Sequence, residues 1–167
     1  MDMAMIRKIT AADIPCCVEV IRTGFATVAA EFDITPENAP RFTAFATDAA
    51  RLGWQLDEGR PMFAYCEDGE IIGYCSLHVQ GAECELNNLC VLPEFRHGGR
   101  GEALLLHAFA EAKSCGCIRM NIGIVEENAR LRAWYERYGF VHTGTKKFDF
   151  FPFTCGYMTR SLQEDLS

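Results

Sequence analysis

The sequence predicts a mixed α/β domain, in which a central sheet of about six to seven strands is flanked by about four helices. Two observations predict this class. Short β-rich runs, some of them paired like hairpins, alternate with apolar runs of helical period. The chain has 167 residues, 49% of them hydrophobic, which is enough for one sizeable core. We therefore expect one domain over residues 1–167, without repeats or linkers.

The N-terminal part predicts a strand and two helices. Residues 6–9 are typical of a short strand, and Thr10, with an acidic residue three positions on, is typical of a helix N-cap with a capping box. The helix after this cap is expected to end near Asp33. Pro36 marks a second helix start, because proline suits the first helical position. That second helix is expected to end at Gly53.

The rest of the chain predicts a hairpin followed by alternating strands and helices. The hairpin joins residues 62–66 and 71–79 through a turn at 67–70. The next elements are a strand at 84–91, a helix from Gly101 to about residue 114 and a strand at 118–125. A helix with the apolar stripe Leu131, Trp134, Tyr135 and Tyr138 follows, and strands at 140–147 and 154–162 come last.

Composition excludes several classes of function. The net charge of −7 argues against a nucleic-acid partner and is compatible with a cationic substrate. No apolar run approaches the roughly 20 residues of a membrane span, and residues 1–8 lack the layout of a signal peptide. We therefore expect a cytoplasmic protein without a membrane partner.

Nine cysteines are present, without the C-x-x-C pairs typical of structural zinc sites. In a chain that is not secreted, such cysteines are expected to be reduced and to act as small buried hydrophobic residues. We predict no metal ion.

A glycine-rich basic turn lies between the strand at 84–91 and the next helix. Its residues are Arg96, His97, Gly98, Gly99, Arg100 and Gly101. Glycines let backbone amides approach an anion, a helix N-terminus directs N–H groups at it, and arginines would neutralise it. The spacing matches neither the P-loop nor the G-x-G-x-x-G fingerprint. A turn that merely joins a strand to a helix is the alternative.

This turn follows the pattern [QR]-x-x-G-x-[GA] and resembles the GNAT superfamily of N-acetyltransferases, whose members hold the pyrophosphate of acetyl-CoA there. Residues 128–140 resemble the second signature of that family, N-x-x-[AS]-x-x-x-Y-x-x-x-G-F, although Leu131 replaces the usual small residue. The resemblance covers residues 83–140. It implies the GNAT fold, acetyl-CoA as co-substrate and an amine as acceptor.

The resemblance also implies a set of cofactor-binding residues in three segments. They are Leu89, Cys90 and Val91 at the strand end, Arg96, His97, Gly98, Gly99, Arg100, Gly101 and Glu102 at the turn, and Asn128 and Tyr135 on the later helix. The backbone N–H of Val91 is the expected donor to the acetyl oxygen.

Two residues are candidates for catalysis. Tyr135 would protonate the departing thiolate, since a phenol has a pKa near 10; the alternative is a purely structural aromatic residue. Glu85 would serve as base, directly or through water, because the two-residue strand period places it on one face with Asn87, Leu89 and Val91. A merely solvated carboxylate is its alternative, and Gly123, where some relatives carry a base, has no side chain. A cysteine nucleophile is disfavoured.

The acceptor side lies mainly outside the matched segment. Aromatic residues expected near it are Phe25, Phe32, Phe42, Trp54, Phe148, Phe150, Phe151 and Phe153. Core packing or contact in a homodimer is the alternative for each of them. We expect transfer to a small primary amine in a ternary complex, and a homodimer. The alternative functions are a protein or peptide N-acetyltransferase and a non-catalytic CoA-binding sensor.

Overall fold

A computed structural model describes residues 3–163. Within them, seven strands form one sheet: β1 (Ala4–Lys8), β2 (Met62–Glu67), β3 (Glu70–Gln80), β4 (Glu83–Val91), β5 (Arg119–Val125), β6 (Val141–Lys147) and β7 (Thr154–Ser161). Their spatial order is β1-β2-β3-β4-β5-β7-β6. Only β4 and β5 pair in parallel, and all other neighbours are antiparallel. The predicted mixed α/β class is confirmed.

The same residues contain five α-helices, which cover both faces of the sheet. They are α1 (Ile14–Glu31), α2 (Thr43–Ala46), α3 (Ala49–Asp57), α4 (Arg100–Ser114) and α5 (Ala129–Arg137). Leu104 and Leu105 of α4 and Tyr135 of α5 are buried in a core on one face. Ile21 of α1 and Leu52 of α3 are buried in a second core on the other face. None of these helices is both long enough and apolar enough to cross a membrane.

The predicted second helix is wrong in its bounds. Residues 35–42 form turns, and helices begin only at Thr43 and at Ala49. Pro40 lies inside the predicted helix, where it would remove a backbone donor and clash with the preceding turn. Asn38 and Thr35 also close a local turn, because Asn38 N donates to Thr35 Oγ1 at 3.1 Å. Gly53 lies within α3, not at its end.

The capping box at Thr10 is present, but it starts a single 3-10 turn. Thr10 N donates to Asp13 Oδ2 at 2.7 Å, and the turn covers Ala11–Asp13. The α1 helix follows directly and ends at Glu31, close to the predicted end. The local signal therefore located the start of the helical region correctly.

A β-bulge in β4 changes which residues share a face. Ser76 pairs with Asn87, and Tyr74 pairs with Cys90, so β4 has two residues where β3 has one. Asn88 has a φ of +56° at this point. Paired residues share a face, so Asn87 and Cys90 lie on the side of α1.

The bulge overturns the predicted orientation of Glu85. Leu89 and Val91 pack with the core beneath α4 and α5, whereas Cys90 belongs to the core beneath α1. Glu85 lies two residues before Asn87 and shares the face of Asn87 and Cys90. The prediction that Glu85 shares a face with Asn87 is confirmed, but the prediction that it shares this face with Leu89 and Val91 is wrong, because a strict two-residue period does not continue through a bulge.

The pairing of β4 with β5 is short. It runs only from the pair of Glu83 with Arg119 to the pair of Glu85 with Asn121. Beyond this point β4 stays paired with β3, and β5 stays paired with β7. Within residues 3–163, the two parallel strands therefore have a gap between their carboxyl ends, which is the edge where α/β sheets usually bind ligands.

Candidate active site

The glycine-rich turn presents the open N-terminus of α4 beside this gap. Gly99 is the N-cap residue, with a φ of +82°, and His97 also has a positive φ of +67°. Ala103 N is the first to bond within the helix, to Gly99 O at 3.0 Å. The three helical N–H groups before Ala103 have no carbonyl four residues back within the helix. They form a site suited to an anion.

Both arginines of the turn have partners within the protein. Arg96 Nε donates to Val91 O at 3.1 Å, and its Nη2 donates to Gly24 O at 3.0 Å. Arg96 therefore ties the end of β4 to α1. Since its donors bond to carbonyl oxygens, we infer that backbone N–H groups, more than this side chain, are what the turn offers an anion.

Arg100 is held by a carboxylate. It donates to both side-chain oxygens of Glu67 at the end of β2, with 3.0 Å between Nη2 and Oε1. Its Nη1 donates to Phe95 O at 2.8 Å. The hydrogen bond from Arg100 lowers the pKa of Glu67 below its ordinary value. The pair fixes the first turn of α4 against the hairpin of β2 and β3.

Asn128 caps the second helix of the predicted motif. Its Oδ1 accepts a hydrogen bond from Leu131 N at 3.2 Å, and the residue is buried. Its own N–H donates to Val125 O at 2.9 Å, which turns the chain directly from β5 into α5. The cap therefore places the start of α5 at the carboxyl end of β5, beside the gap.

Tyr135 lies on α5, with 6% of its surface exposed. Its ring makes edge contacts with Phe140 and Trp134, at centroid distances of 5.2 and 5.0 Å. Burial raises its pKa above the ordinary value for tyrosine. The hydroxyl therefore stays protonated throughout the neutral range.

An apolar cavity of about 200 Å³ opens between α1, the segment before α2 and the strands β5 and β7. We call it the aromatic cavity. Its lining residues are Phe25, Val28, Arg41, Phe42, Thr43, Gly123, Ile124, Val125, Asn128, Leu131, Phe151, Phe153, Cys155 and Tyr157. Arg41 is the one charged side chain among them.

The structure separates the aromatic residues that were predicted near the acceptor. Phe25, Phe42, Phe151 and Phe153 line the aromatic cavity, and Phe32 packs against the same cluster. Phe148 and Phe150 contact Phe151 from outside, at centroid distances of 6.4 and 4.8 Å. Trp54 does not belong to this group. It lies on α3, 56% exposed, with Arg60 over its ring.

Glu85 lines a second, more polar cavity of about 270 Å³. We call it the polar cavity; its other lining residues are Asn121, Ile122, Gly123, Thr143, Tyr157 and Met158. Gly123 and Tyr157 line both cavities, so Tyr157 stands at their boundary. Its ring lies 3.8 Å from the position that a Cβ would take on Gly123.

Tyr157 is a site residue that the sequence analysis missed. Burial, followed by the nearby Cys155 and Glu85, raises its pKa. Its only sequence signal is indirect, since Tyr157 is the cross-strand partner of Gly123. That relation needs the register of β5 with β7, which the pattern of residue types does not contain.

Two cysteines of β4, Cys84 and Cys90, are buried. Cys90 Sγ points at Val20 O of α1, 3.9 Å away, and burial raises the pKa of its thiol. Burial raises the pKa of the Cys84 thiol to about 12. Neither thiol is the thiolate that a nucleophile requires. Within residues 3–163, no group of three or more His, Cys, Asp or Glu side chains could hold a metal ion.

Comparison with known proteins identifies the fold and the family. The model of the acetyltransferase (GNAT) family matches residues 28–140. An uncharacterized N-acetyltransferase of Mycobacterium bovis is 30% identical over 118 residues, which are 69% of this chain and 75% of the relative.

Two solved structures share the fold. The ribosomal-protein-S18-alanine N-acetyltransferase from Escherichia coli has a TM-score of 0.77 at 18% identity, covering 96% of this chain and 94% of its own. The PaiA N-acetyltransferase from Thermoplasma acidophilum, in complex with coenzyme A, has a TM-score of 0.74 at 20% identity, covering 95% and 99%. These two structures show the fold, and the family match, which spans both the glycine turn and the capped helix, shows the family. The protein belongs to the GNAT family of N-acetyltransferases.

Proposed function

We propose that this protein transfers the acetyl group of acetyl-CoA to the primary amine of a small molecule, by direct attack in a ternary complex. The family assignment supports acetyl transfer to an amine. The observation that favours a small acceptor is the aromatic cavity, which at about 200 Å³ has room for one compact molecule. We assign this activity to a single domain that spans residues 1–167.

The residues at the gap fit acetyl-CoA, which would supply an activated acetyl group. The N–H groups at the start of α4 point out of the helix end and suit its pyrophosphate, in the turn formed by His97, Gly98 and Gly99. Arg96 and Arg100 hold that turn in place through Gly24 and Glu67. Leu89, Cys90 and Val91 on one side, and Asn128 on the other, would flank the arm that carries the thioester.

Two groups of the chain would act on the thioester. The backbone N–H of Val91 would donate to the acetyl oxygen as negative charge develops on it, while the amine nitrogen bonds to the acetyl carbon. Tyr135 would then give its proton to the departing sulfur as the carbon–sulfur bond breaks. The raised pKa of Tyr135 suits this role, since the phenol enters each cycle protonated.

Glu85 would accept the proton that the amine must lose. It lines the polar cavity and not the aromatic cavity, so it acts through water or through the hydroxyl of Tyr157. An intervening Tyr157 would receive a proton from the amine and pass its own proton to the carboxylate, which leaves its charge unchanged. Cys84 and Cys90 have no part in this scheme, because burial keeps both thiols neutral.

The experiment that tests the proposal is thiol release from acetyl-CoA over a panel of amines. The panel contains small primary amines and short peptides with free N-termini, and thermal shift with CoA is measured in parallel. We expect CoA to stabilise the protein and a small amine to release thiol most efficiently. Preferred peptides would instead favour a peptide N-acetyltransferase, the activity named for the Escherichia coli structure. CoA binding without thiol release from any amine would indicate a sensor.

The homodimer and the cytoplasmic location remain predictions. Phe150 is 41% exposed at the tip of the segment between β6 and β7, whereas Phe153 in the same segment is buried. That segment therefore offers less apolar surface to a partner copy than its composition indicates. Sedimentation velocity at micromolar concentration tests the dimer, and a single monomeric species would contradict it.

A further inference from the structure

We propose that the acceptor is an amine that carries an aromatic or similarly bulky apolar group and a carboxylate, with the carboxylate bound by Arg41. This inference rests on the proposed function and names the substrate class for the same site. It follows from three properties of the aromatic cavity: the nature of its walls, the sign of its charge and the cavity that adjoins it.

The walls are a continuous series of aromatic rings. Phe25 meets Phe42 at a centroid distance of 6.4 Å, and Phe42 meets Phe153 at 5.7 Å, both edge to face. Phe151 stacks on Phe153 at 4.7 Å. Rings in these geometries form a rigid apolar surface that favours a flat or bulky hydrocarbon group. A slender polar amine would cover little of this apolar surface, so it would gain little binding free energy from entering the cavity.

The charge of the cavity is positive. Arg41 is exposed, and its Cζ lies 4.5 Å from the centroid of Phe150, which holds the guanidinium near the rim. Within residues 3–163, no carboxylate lies within ion-pair distance of Arg41. A guanidinium without a carboxylate partner is suited to bind a planar anionic group with two parallel hydrogen bonds.

The same charge disfavours polyamines. No acidic side chain lines the aromatic cavity, so the second ammonium of a diamine would meet Arg41 or remain without a counter-ion. The overall charge of −7 is compatible with a cationic substrate, but this cavity has the opposite sign. Local charge decides which ligand fits, because the charges elsewhere are screened over about 8 Å at physiological salt.

The adjoining polar cavity indicates where the amine of the acceptor would lie. Tyr157 lines both cavities, and Glu85 lines the polar one. An ammonium beside Tyr157 therefore lies toward Glu85, the carboxylate among the residues that line the two cavities. The three parts of the proposed acceptor each have a matching group: the amine faces Tyr157, the apolar body faces the phenylalanines, and the carboxylate faces Arg41.

The test compares acids with their own carboxamides as acceptors. Phenylalanine and 4-(aminomethyl)benzoate are each paired with the corresponding amide, and alanine and spermidine complete the set. We expect kcat/KM to be about tenfold or more higher for at least one aromatic acid than for its amide, and low for alanine and spermidine. Such a ratio is within the range of one charge-assisted hydrogen-bonded contact.

The Arg41→Gln variant assigns the effect to one side chain. It should lower kcat/KM for the preferred aromatic acid by about five- to fiftyfold and leave its amide nearly unchanged. The stabilisation by CoA and the KM for acetyl-CoA should not change. Arg51→Gln is the matched control, since Arg51 is an exposed arginine on α3 that lines neither cavity.

The outcomes separate this inference from the proposed function. Acids and amides that react equally well, an equal loss with both in Arg41→Gln, or spermidine as the best acceptor would each overturn the inference while thiol release still supports acetyl transfer. A failure of every amine to release thiol from a protein that CoA stabilises would instead overturn the proposed function.

Discussion

The proposed cofactor side and the proposed acceptor side of this protein are built on different principles. At the glycine turn, the arginine side chains bond to the protein itself, and the first backbone N–H groups of α4 have no carbonyl partner four residues back within the helix. In the aromatic cavity the backbone is mostly within paired elements, and side chains from four separate parts of the chain form the walls. One side offers its backbone to a ligand, and the other offers side chains.

This difference explains why a sequence motif can mark the first kind of site but not the second. A backbone site requires a local conformation, so a few glycines and a helix start suffice to mark it. A side-chain site depends on which distant segments meet, and substitutions can change its chemistry without altering the fold. A backbone site of this kind is therefore marked by a short local motif, whereas a side-chain site has no such mark in the sequence. Three predictions test this difference between a backbone site and a side-chain site.

The largest expected effect is that of Tyr135→Phe. The variant keeps the ring that packs on Phe140 and removes only the hydroxyl. We expect kcat to fall by roughly 10²–10⁴, with stability and acetyl-CoA binding near those of the unmodified protein, if Tyr135 is the proton donor. Stopped-flow or steady-state thiol release measures it. The loss should be smaller with a thioester whose leaving group needs less protonation.

Tyr138→Phe is the control on the same helix. The Tyr138 hydroxyl donates to Glu102 at 2.6 Å, so its removal alters a surface contact of α4 and α5 without touching Tyr135.

Since burial raises the pKa of Tyr135, activity should rise as the amine deprotonates and show no alkaline decline below about pH 10. If the kcat of Tyr135→Phe equals that of the unmodified protein, the role of Tyr135 is structural only.

A smaller but still clear effect is expected for Gly99→Val. A β-branched side chain at a φ of +82° is strained, and it would lie where the turn must approach the pyrophosphate. We expect a folded protein, destabilised by about 1–2 kcal/mol, that CoA no longer stabilises. Thermal shift with and without CoA measures both quantities.

Gly116→Val provides the matched control at the other end of α4. Gly116 has a φ of +85° and, like Gly99, open space around the position of an added Cβ. The strain is therefore similar, but the residue is remote from the turn. We expect Gly116→Val to lose stability and keep the CoA response. Retention of that response in Gly99→Val would argue against a backbone site for the pyrophosphate.

The smallest expected effect concerns Arg96→Gln. Arg96 joins Val91 O to Gly24 O, so its loss should lower the free energy of unfolding by about 1–3 kcal/mol, measured in urea. The affinity for CoA should fall moderately, because Arg96 holds the turn in place, and this loss should depend only weakly on salt. Arg119→Gln, which removes an exposed pair with Glu83 at 3.9 Å, should cost less than about 1 kcal/mol. A large, salt-dependent loss of CoA affinity in Arg96→Gln would show that this arginine binds phosphate directly.

Sequence reasoning predicted those features that depend on near neighbours in the chain. The glycine turn and most strand bounds follow from local conformational preferences. It failed at residues 35–53, where a proline start signal was extended through Pro40. It also missed Tyr157 and Arg41, because their proximity to the site depends on strand register and on how a turn folds over the sheet.

The bulge at Asn88 sets the directions of the side chains that follow it in β4. A strand of the same length that kept strict alternation through Asn88 would reverse those directions. Cys90 would turn away from α1, and Val91 would leave the core beneath α4. Because Arg96 is anchored on Val91 O, the glycine turn would shift as well. The one extra residue that the bulge absorbs thus keeps Cys90 and Val91 on their present faces, and a chain without Asn88 would lose the bulge but leave Cys90 opposite Tyr74.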